Sequence, residues 1–218
     1  MGSEIVPLLM LLIMWLAYFA LHSLLADPPV RQALSAYSPA LGRRYRLFFN
    51  GLACVLLLPP LILLHGEPWT PLWDFAGPWA WLADGLAALA LLGFFLSARQ
   101  YDLRGFLGVA ARSTTETLRI SSWHRHVRHP WYALALVLIW TRPMNSGFLL
   151  TALALTAYFV IGSRLEERKL CVQFGKAYAA YQARVPALLP WPGRSLSAAE
   201  AAALEAAACA EAGSPQVE

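Results

Sequence analysis

The chain has 218 residues, of which 58% are hydrophobic and only 14% charged, with a formal net charge of +4 and a mean hydropathy of +0.50. Soluble globular domains carry about 25% charged residues, so this composition argues against an ordinary soluble domain and predicts a membrane protein. The three cysteines form no Cys-x-x-Cys pair, which argues against a disulfide framework or a zinc site. The residues alone leave open a bridge between Cys171 and Cys209.

Three apolar runs in the first half of the chain are long enough to cross a hydrocarbon core of roughly 30 Å. They cover residues 5–25, 47–64 and 79–97. Because the first run is preceded by Glu4 and by no basic residue, we interpret it as an uncleaved anchor rather than a signal peptide. Tryptophans cluster around the loop between the second and third runs, as expected at a membrane surface.

A polar connection from Arg99 to His129 leads into an apolar hairpin with arms at 130–141 and 147–163. The first arm has about twelve residues, which at 1.5 Å per residue reach only about 18 Å, so we expect it to be tilted or re-entrant. The sequence therefore predicts an all-α integral membrane bundle of about five transmembrane segments, ending in a cytosolic helix. No β-strand is predicted.

Residues 1–194 are expected to form one membrane domain, and 195–218 an Ala-rich tail. Ser197 and Glu200 fit a capping box for a short helix. Because this segment has no apolar stripe that would pack it against the rest of the chain, we expect a frayed, poorly ordered tail.

The positions of the basic residues predict the orientation. Sixteen of the 17 Lys and Arg residues lie in segments 26–46, 99–129 and 164–194, and Arg142 alone lies in a loop on the other side. Basic loops stay in the cytosol. We therefore expect an outside N-terminus, a cytosolic C-terminus and a cytosolic site, in a multi-pass protein of a bacterial inner membrane.

The first polar motif is Arg-His-Pro-Trp-Tyr at 128–132. Pro130 suits the first turn of a helix, which places His129 beside free N–H groups that favour anions. Arg128 has the planar fork that clamps a carboxylate. The same five residues are equally typical of a plain helix start with an interfacial Trp131 and Tyr132.

Two adjacent carboxylates, Glu166 and Glu167, follow the last apolar run. They can pair with Arg164 or Lys169 on a solvated helix face. Alternatively, adjacent carboxylates can accept both hydroxyls of a ribose or face a cationic centre. The residues alone leave both interpretations open.

Phe174, Tyr178 and Tyr181 then fall on one helical face before a Val-Pro and Leu-Pro ending. Such a stripe is typical of an interfacial amphipathic helix, but its rings could also hold an adenine or a sulfonium, because cations are attracted to aromatic faces. No metal site is predicted, because the histidines of the polar connection lack a Cys or carboxylate at ligand spacing: His124, His126 and His129. The segment at Tyr101, Asp102 and Arg104 fits either plain interface residues or the substrate end of a pocket.

In combination and order, these segments resemble the membrane methyltransferases related to isoprenylcysteine carboxyl methyltransferase. That family has an Arg-His-Pro-x-Tyr helix start, an apolar hairpin and then a longer polar pattern. The chain carries the second pattern at Arg164, Glu166, Glu167, Leu170, Phe174, Gly175, Tyr178, Tyr181, Val185, Pro186, Leu189 and Pro190. In the N-terminal half, Tyr18 to Ala26, RYRLFFN and YDLRGF resemble the bacterial branch of NnrU-like proteins and methanethiol S-methyltransferases.

The resemblance implies S-adenosylmethionine as the methyl donor and a thiol as the acceptor, either small and methanethiol-like or lipophilic and isoprenylcysteine-like. It implies a lipid bilayer as surroundings and no nucleic-acid partner. The residues it assigns to the donor are Arg128, His129, Pro130, Tyr132, Arg164, Glu166, Glu167, Tyr178 and Tyr181, together with Val185 and Leu189 in the Val185 to Pro190 segment, whose backbone covers the adenine. Arg104 and Arg125 are the candidates for positioning the thiolate, since a nearby positive charge favours the anion.

Two rival interpretations stay open at this stage. One is a non-enzymatic, NnrU-like membrane protein that supports nitrogen-oxide metabolism. The other is a reductase with a nicotinamide cofactor on the same scaffold, for which the chain looks too short. A soluble Rossmann-type methyltransferase is excluded, because no Gly-x-Gly-x-x-Gly stretch follows a predicted strand.

Overall fold

The computed structural model describes residues 4–99 and 117–213. The predicted all-α class is confirmed, and the helices are α1 Ile5–Ala26, α2 Pro28–Tyr37, α3 Pro39–Arg43, α4 Tyr45–Gly66, α5 Pro78–Ala98, α6 Pro130–Trp140, α7 Ser146–Arg184 and α8 Ala198–Gly213. The expectation of no β-strand was wrong in one detail. Strands β1 Pro71–Trp73 and β2 Met144–Asn145 pair antiparallel, with an irregular register.

Four of the described helices, α1, α4, α5 and α7, are long and apolar enough to cross a membrane. Each begins within two residues of the start of a predicted apolar run. Helix α6 has 11 residues, which span about 17 Å at 1.5 Å per residue, so it is shorter than a hydrocarbon core. Helix α7 has 39 residues and continues well past its apolar part into the polar segment.

The chain divides into two compact units, of which the first comprises the described parts of 1–85, 98–112 and 141–155. In this first unit α1 packs against α4. Trp15 is buried, and its indole N–H donates to Thr151 Oγ1 at 3.0 Å. This bond gives the buried indole nitrogen the partner that it needs.

Glu4 closes the same unit at the start of α1. Its Oε1 accepts hydrogen bonds from the Thr70 backbone N–H at 2.8 Å and hydroxyl at 2.6 Å. Its Oε2 accepts a bond from Ser146 Oγ at 2.9 Å. One carboxylate therefore connects the loop before β1 with the first residue of α7.

The second unit comprises the described parts of 86–97, 113–140 and 156–218. Its core collects the aromatic stripe of α7, the end of the polar connection and one face of α8. The buried members are Ile120, Phe174, Ala177, Tyr178, Tyr181, Val185, Leu196, Ala201 and Ala208. The three cysteines are free thiols, so the bridge between Cys171 and Cys209 is not formed.

Helix α8 differs from the frayed tail expected from sequence. The capping box forms: Ser197 N–H donates to Glu200 Oε2 at 2.8 Å, and Glu200 N–H donates to Ser197 Oγ at 3.2 Å. Ala201 and Ala208 lie about two turns apart and are both buried. A face of methyl groups can be buried without long apolar side chains, which is why the sequence pattern missed it.

Gly175 divides α7. Its φ of +51° and ψ of −131° are not helical, and only glycine adopts this conformation without strain. The Lys176 N–H, which begins the second part of the helix, donates to Glu211 Oε2 of α8 at 3.1 Å. A Cβ at position 175 would lie 2.6 Å from the same oxygen, so a side chain there would displace the Glu211 carboxylate.

Candidate active site

The start of α6 is bound to the Val-Pro segment through the main chain. Arg128 N–H donates to Pro186 O at 2.9 Å, and His129 N–H donates to Ala187 O at 3.0 Å. Pro130 has no N–H to satisfy, and the His129 carbonyl accepts the Ala133 N–H at 3.1 Å. The two motifs that lie more than fifty residues apart in the sequence are therefore in direct contact.

Glu167 connects both motifs through its carboxylate. Its Oε1 accepts bonds from Arg128 Nε at 2.7 Å and from His129 Nε2 at 3.0 Å. Its Oε2 accepts a bond from Gln182 Nε2 at 2.8 Å. The Arg128 and Glu167 side chains are 8% and 7% exposed, so this ion pair is buried, and both of its charges have hydrogen-bond partners, as burial requires.

A second nitrogen of Arg128 is also bound within the protein. Its NH1 donates to the Gln182 carbonyl at 2.9 Å and also to the Val185 carbonyl. The sequence interpretation gave Arg128 the role of clamping a ligand carboxylate. In the structure its Nε binds Glu167, and its NH1 fixes the end of α7 against the start of α6.

Glu166 has the opposite environment, because its side chain is 52% exposed. Its Oε2 lies 3.6 Å from His129 Nδ1, which is too far for a hydrogen bond. The His129 imidazole thus lies between an engaged carboxylate and an open one. The open side offers acceptor atoms to the N–H or O–H groups of a ligand.

An aromatic column stands beside the open carboxylate. The His129 and Tyr132 rings stack with centroids 5.5 Å apart, and Tyr132 stacks on Phe159 at 4.9 Å. Both pairs are within 9° of parallel. Tyr132 is the middle ring of this column, so the faces that can hold a flat heterocycle or a cation are the outer ones, on His129 and Phe159.

Other residues assigned to the donor from sequence lie in different surroundings. Tyr178 and Tyr181 are buried with their rings edge-on at 5.6 Å, and Tyr181 Oη donates to the His124 carbonyl at 2.7 Å. Val185 is fully buried in the same core, so these three side chains support the site from within the protein. Leu189 is 67% exposed, and Arg164 is also exposed.

Of the two arginines predicted to position a thiolate, one is described. Arg125 is half-buried, and its carbonyl accepts the Leu196 N–H at 3.0 Å. Arg104 lies outside the described residues, as do Tyr101 and Asp102. Their predicted roles stay predictions.

Beside Arg125, the His124 Nδ1 lies 2.7 Å from Ser121 Oγ. Burial lowers the pKa of His124 to about 4, and the neighbouring His129 adds to the shift. A histidine with this pKa is neutral at pH 7 and forms part of the wall behind the site.

Sequence reasoning missed two residues of the site. Gln182 follows the tyrosine stripe, and its amide binds Glu167. In the sequence it is a single Gln on a helix with a polar face, and such a residue does not indicate a site. Phe159 lies inside an apolar span. In such a span the sequence pattern does not distinguish a ring that stacks on Tyr132 from a ring that packs on lipid.

Comparison with known proteins points to one group. Methanethiol S-methyltransferase 2 of Bradyrhizobium diazoefficiens is 34% identical over 182 residues, which cover 78% of this chain and 68% of that protein. Methanethiol S-methyltransferase of a Pseudomonas species is 32% identical over 151 residues, 64% of this chain and 57% of that protein. The enzyme of the same name from Pseudomonas deceptionensis is 40% identical over 81 residues, 37% of this chain and 31% of that protein.

No protein-family model and no solved structure matches the chain. The relatives nevertheless share one name, and the first of them is matched over more than two thirds of both chains. The resemblance drawn from the sequence motifs is thereby confirmed, and the chain belongs to the methanethiol S-methyltransferase family.

Proposed function

We propose that this protein is a membrane methyltransferase that transfers a methyl group from S-adenosylmethionine to a small thiol. The observation that carries the proposal is the 34% identity to methanethiol S-methyltransferase 2 over 78% of this chain. The site geometry supports it, because the two motifs that carry the resemblance meet at the buried Glu167 pair.

The residues present fit such a donor by their chemistry. Glu166 offers an open carboxylate for ammonium or ribose hydroxyl groups, and the His129–Tyr132–Phe159 column offers its outer ring faces for a cation or a heterocycle. When bound, the donor would supply an electrophilic methyl group on a sulfonium. The Arg128–Glu167 pair belongs to the frame that holds these groups in place.

The chain itself needs to position the thiol and help it lose its proton. A free thiol has a pKa of about 8.5, so a positive charge near the sulfur raises the reactive thiolate fraction at neutral pH. We assign that task to Arg125 together with Arg104. Positioning of two reacting groups can lower a barrier by roughly 7–11 kcal/mol, and no covalent intermediate with the protein is required.

The proposal includes an orientation. With 16 of 17 basic residues in segments on one side, the positive-inside rule puts the site and α8 in the cytosol of a bacterial cell. S-adenosylmethionine is made in the cytosol, so a cytosolic site gives it direct access. The thiol would arrive from the cytosol or from the membrane.

The test is calorimetric binding of S-adenosylmethionine to detergent-purified protein, followed by transfer of a labelled methyl group to methanethiol. We expect micromolar binding and labelled dimethyl sulfide with the unaltered chain, and at least a tenfold loss of both in His129→Ala and Glu166→Gln. Glu67→Gln is the matched control, since it removes an exposed carboxylate from the first unit.

Absence of donor binding in well-folded protein would contradict the donor assignment and favour a non-enzymatic membrane role. Donor binding without transfer to methanethiol would contradict the proposed acceptor. A long-chain prenyl thiol then becomes the next acceptor to assay.

A further inference from the structure

Gln182 makes two contacts through its side chain and one through its main chain. Its Nε2 donates to Glu167 Oε2 at 2.8 Å, its Oε1 accepts the Cys171 thiol at 3.7 Å, and its carbonyl accepts Arg128 NH1 at 2.9 Å. A carboxylate only accepts hydrogen bonds. The amide must therefore turn its NH2 group toward Glu167 and its oxygen toward Cys171.

This bond determines how Glu167 is rotated. With Oε2 held by Gln182, Oε1 is directed toward both Arg128 Nε and His129 Nε2. Because Glu167 can only accept, His129 Nε2 must carry a proton. In the neutral imidazole, His129 Nδ1 is then the nitrogen with the lone pair, and it lies 3.6 Å from Glu166 Oε2 on the open side of the site.

We propose that Gln182 is a positioning residue of the methyltransferase site, which sets the tautomer of His129 through Glu167. The inference rests on the proposed function for its catalytic consequence, but the tautomer itself is a property of the ligand-free protein. An orienting carboxylate behind a histidine is known to control which nitrogen faces the ligand.

Gln182→Glu is the informative substitution, because it keeps the size of the side chain but replaces the NH2 donor that binds Glu167 by a carboxylate oxygen that only accepts when ionised. Two ionised carboxylates within hydrogen-bond distance repel each other, which raises the pKa of one of them, so that this one takes up a proton as the pH falls toward 6. The charged and titratable groups around this pair are Arg128, His129, Glu166, Cys171 and Tyr178. These groups are present both in the unaltered chain and in the variant. A pH dependence found only in the variant is therefore due to the introduced carboxyl group.

The first measurement is the ¹⁵N chemical shift of the His129 ring nitrogens in ligand-free, histidine-labelled protein at pH 8. The His129 signals are identified by their loss in His129→Asn. We expect a protonated Nε2 and an unprotonated Nδ1 in the unaltered chain, and a changed shift pair in Gln182→Glu and Gln182→Met. Gln173→Glu, an exposed site on the same helix, should keep the original shifts.

The second measurement is the pH profile of methyl transfer. We expect Gln182→Glu to lose at least tenfold at pH 8 and to recover part of that loss toward pH 6, where the protonated carboxyl can donate to Glu167 as the amide does. Gln182→Met should lose activity with no recovery. Gln173→Glu should follow the original profile.

The inference is overturned if His129 carries its proton on Nδ1 in the unaltered chain, or if Gln182→Glu keeps both the original shifts and the original pH profile. Inactivity of the unaltered chain would instead contradict the proposed function. In that case the ring-nitrogen shifts still decide the role of Gln182.

Discussion

Two neighbouring glutamates show how strongly a side chain depends on what it faces. Glu166 is half-exposed, whereas Glu167 is buried against Arg128 and His129. The sequence indicated that a pair of carboxylates lies just after the last apolar run, within the second polar motif. It could not say which one turns inward, because that choice depends on a partner 39 residues earlier in the chain.

Glu167→Gln is therefore expected to act on folding as well as on function. It leaves the Arg128 charge buried without a counterion, which should cost about 3–5 kcal/mol of unfolding free energy. Glu166→Gln removes an exposed carboxylate and should change stability by less than about 1 kcal/mol. Denaturant unfolding of both variants in detergent checks the difference, and equal effects would contradict the assigned burial.

His124 predicts a dependence of stability on pH. Its folded-state pKa of about 4 is below the value of about 6.5 in an unfolded chain, so only the unfolded state gains a proton between these values. Stability contributed by neutral His124 is complete above pH 7 and should fall by about 2 kcal/mol between pH 7 and pH 5. The loss levels off only below about pH 4.

His124→Gln removes this titration and is the comparison for that measurement. Unfolding of both proteins in urea, followed by tryptophan fluorescence at pH 7 and pH 5, should give a flatter pH dependence for the variant. The same slope in both would show that His124 is not the group responsible.

At the scale of the element, α7 changes direction where the sequence reads Phe-Gly-Lys. Gly175→Ala forces a side chain into a backbone conformation that favours glycine and against Glu211 Oε2, and we expect a loss of about 1–3 kcal/mol. Gly162→Ala is the matched control in the same helix, because a Cβ there meets no atom within 4 Å. We expect it to be neutral or stabilising by up to about 1 kcal/mol.

Thermal unfolding in one detergent compares the two glycine variants directly. Equal shifts in Tm would mean that α7 runs straight through position 175. In that case the tyrosine stripe would leave the core of the second unit.

The apolar runs predicted the helices that can cross a membrane to within two residues at their starts, because an uninterrupted stretch of Leu, Ala and Phe allows few alternatives in lipid. The capping box of α8 was predicted, but the packing of this helix was not. Its burial rests on small side chains, Ala201 and Ala208, and on Glu205 accepting the Ile120 N–H. Such contacts depend on which surface lies opposite, and a hydrophobic pattern contains no information about that surface.

For the whole molecule, the distribution of basic residues predicts which parts face the cytosol. An impermeant maleimide applied to spheroplasts should label a cysteine introduced by Asp74→Cys, in the loop between α4 and α5, and should spare the exposed Cys209 in α8. The two sites are tested in separate proteins, one with Asp74→Cys and one with Cys209 as the single cysteine. The other native cysteines are replaced by serine in each. Permeabilised cells should label both sites, and the reverse pattern in intact spheroplasts would invert the orientation.

The two main-chain bonds from Arg128 and His129 to Pro186 and Ala187 also bear on how this family can diverge. They join the two ends of the segment formed by α6, the turn and α7, and they require no particular side chain at the accepting positions. Equal insertions or deletions in both arms would leave these ends paired. We therefore expect whole-turn changes of length, made in both arms on the membrane side of Glu167, to keep the arrangement of the site, so that such a hairpin could suit bilayers of different thickness.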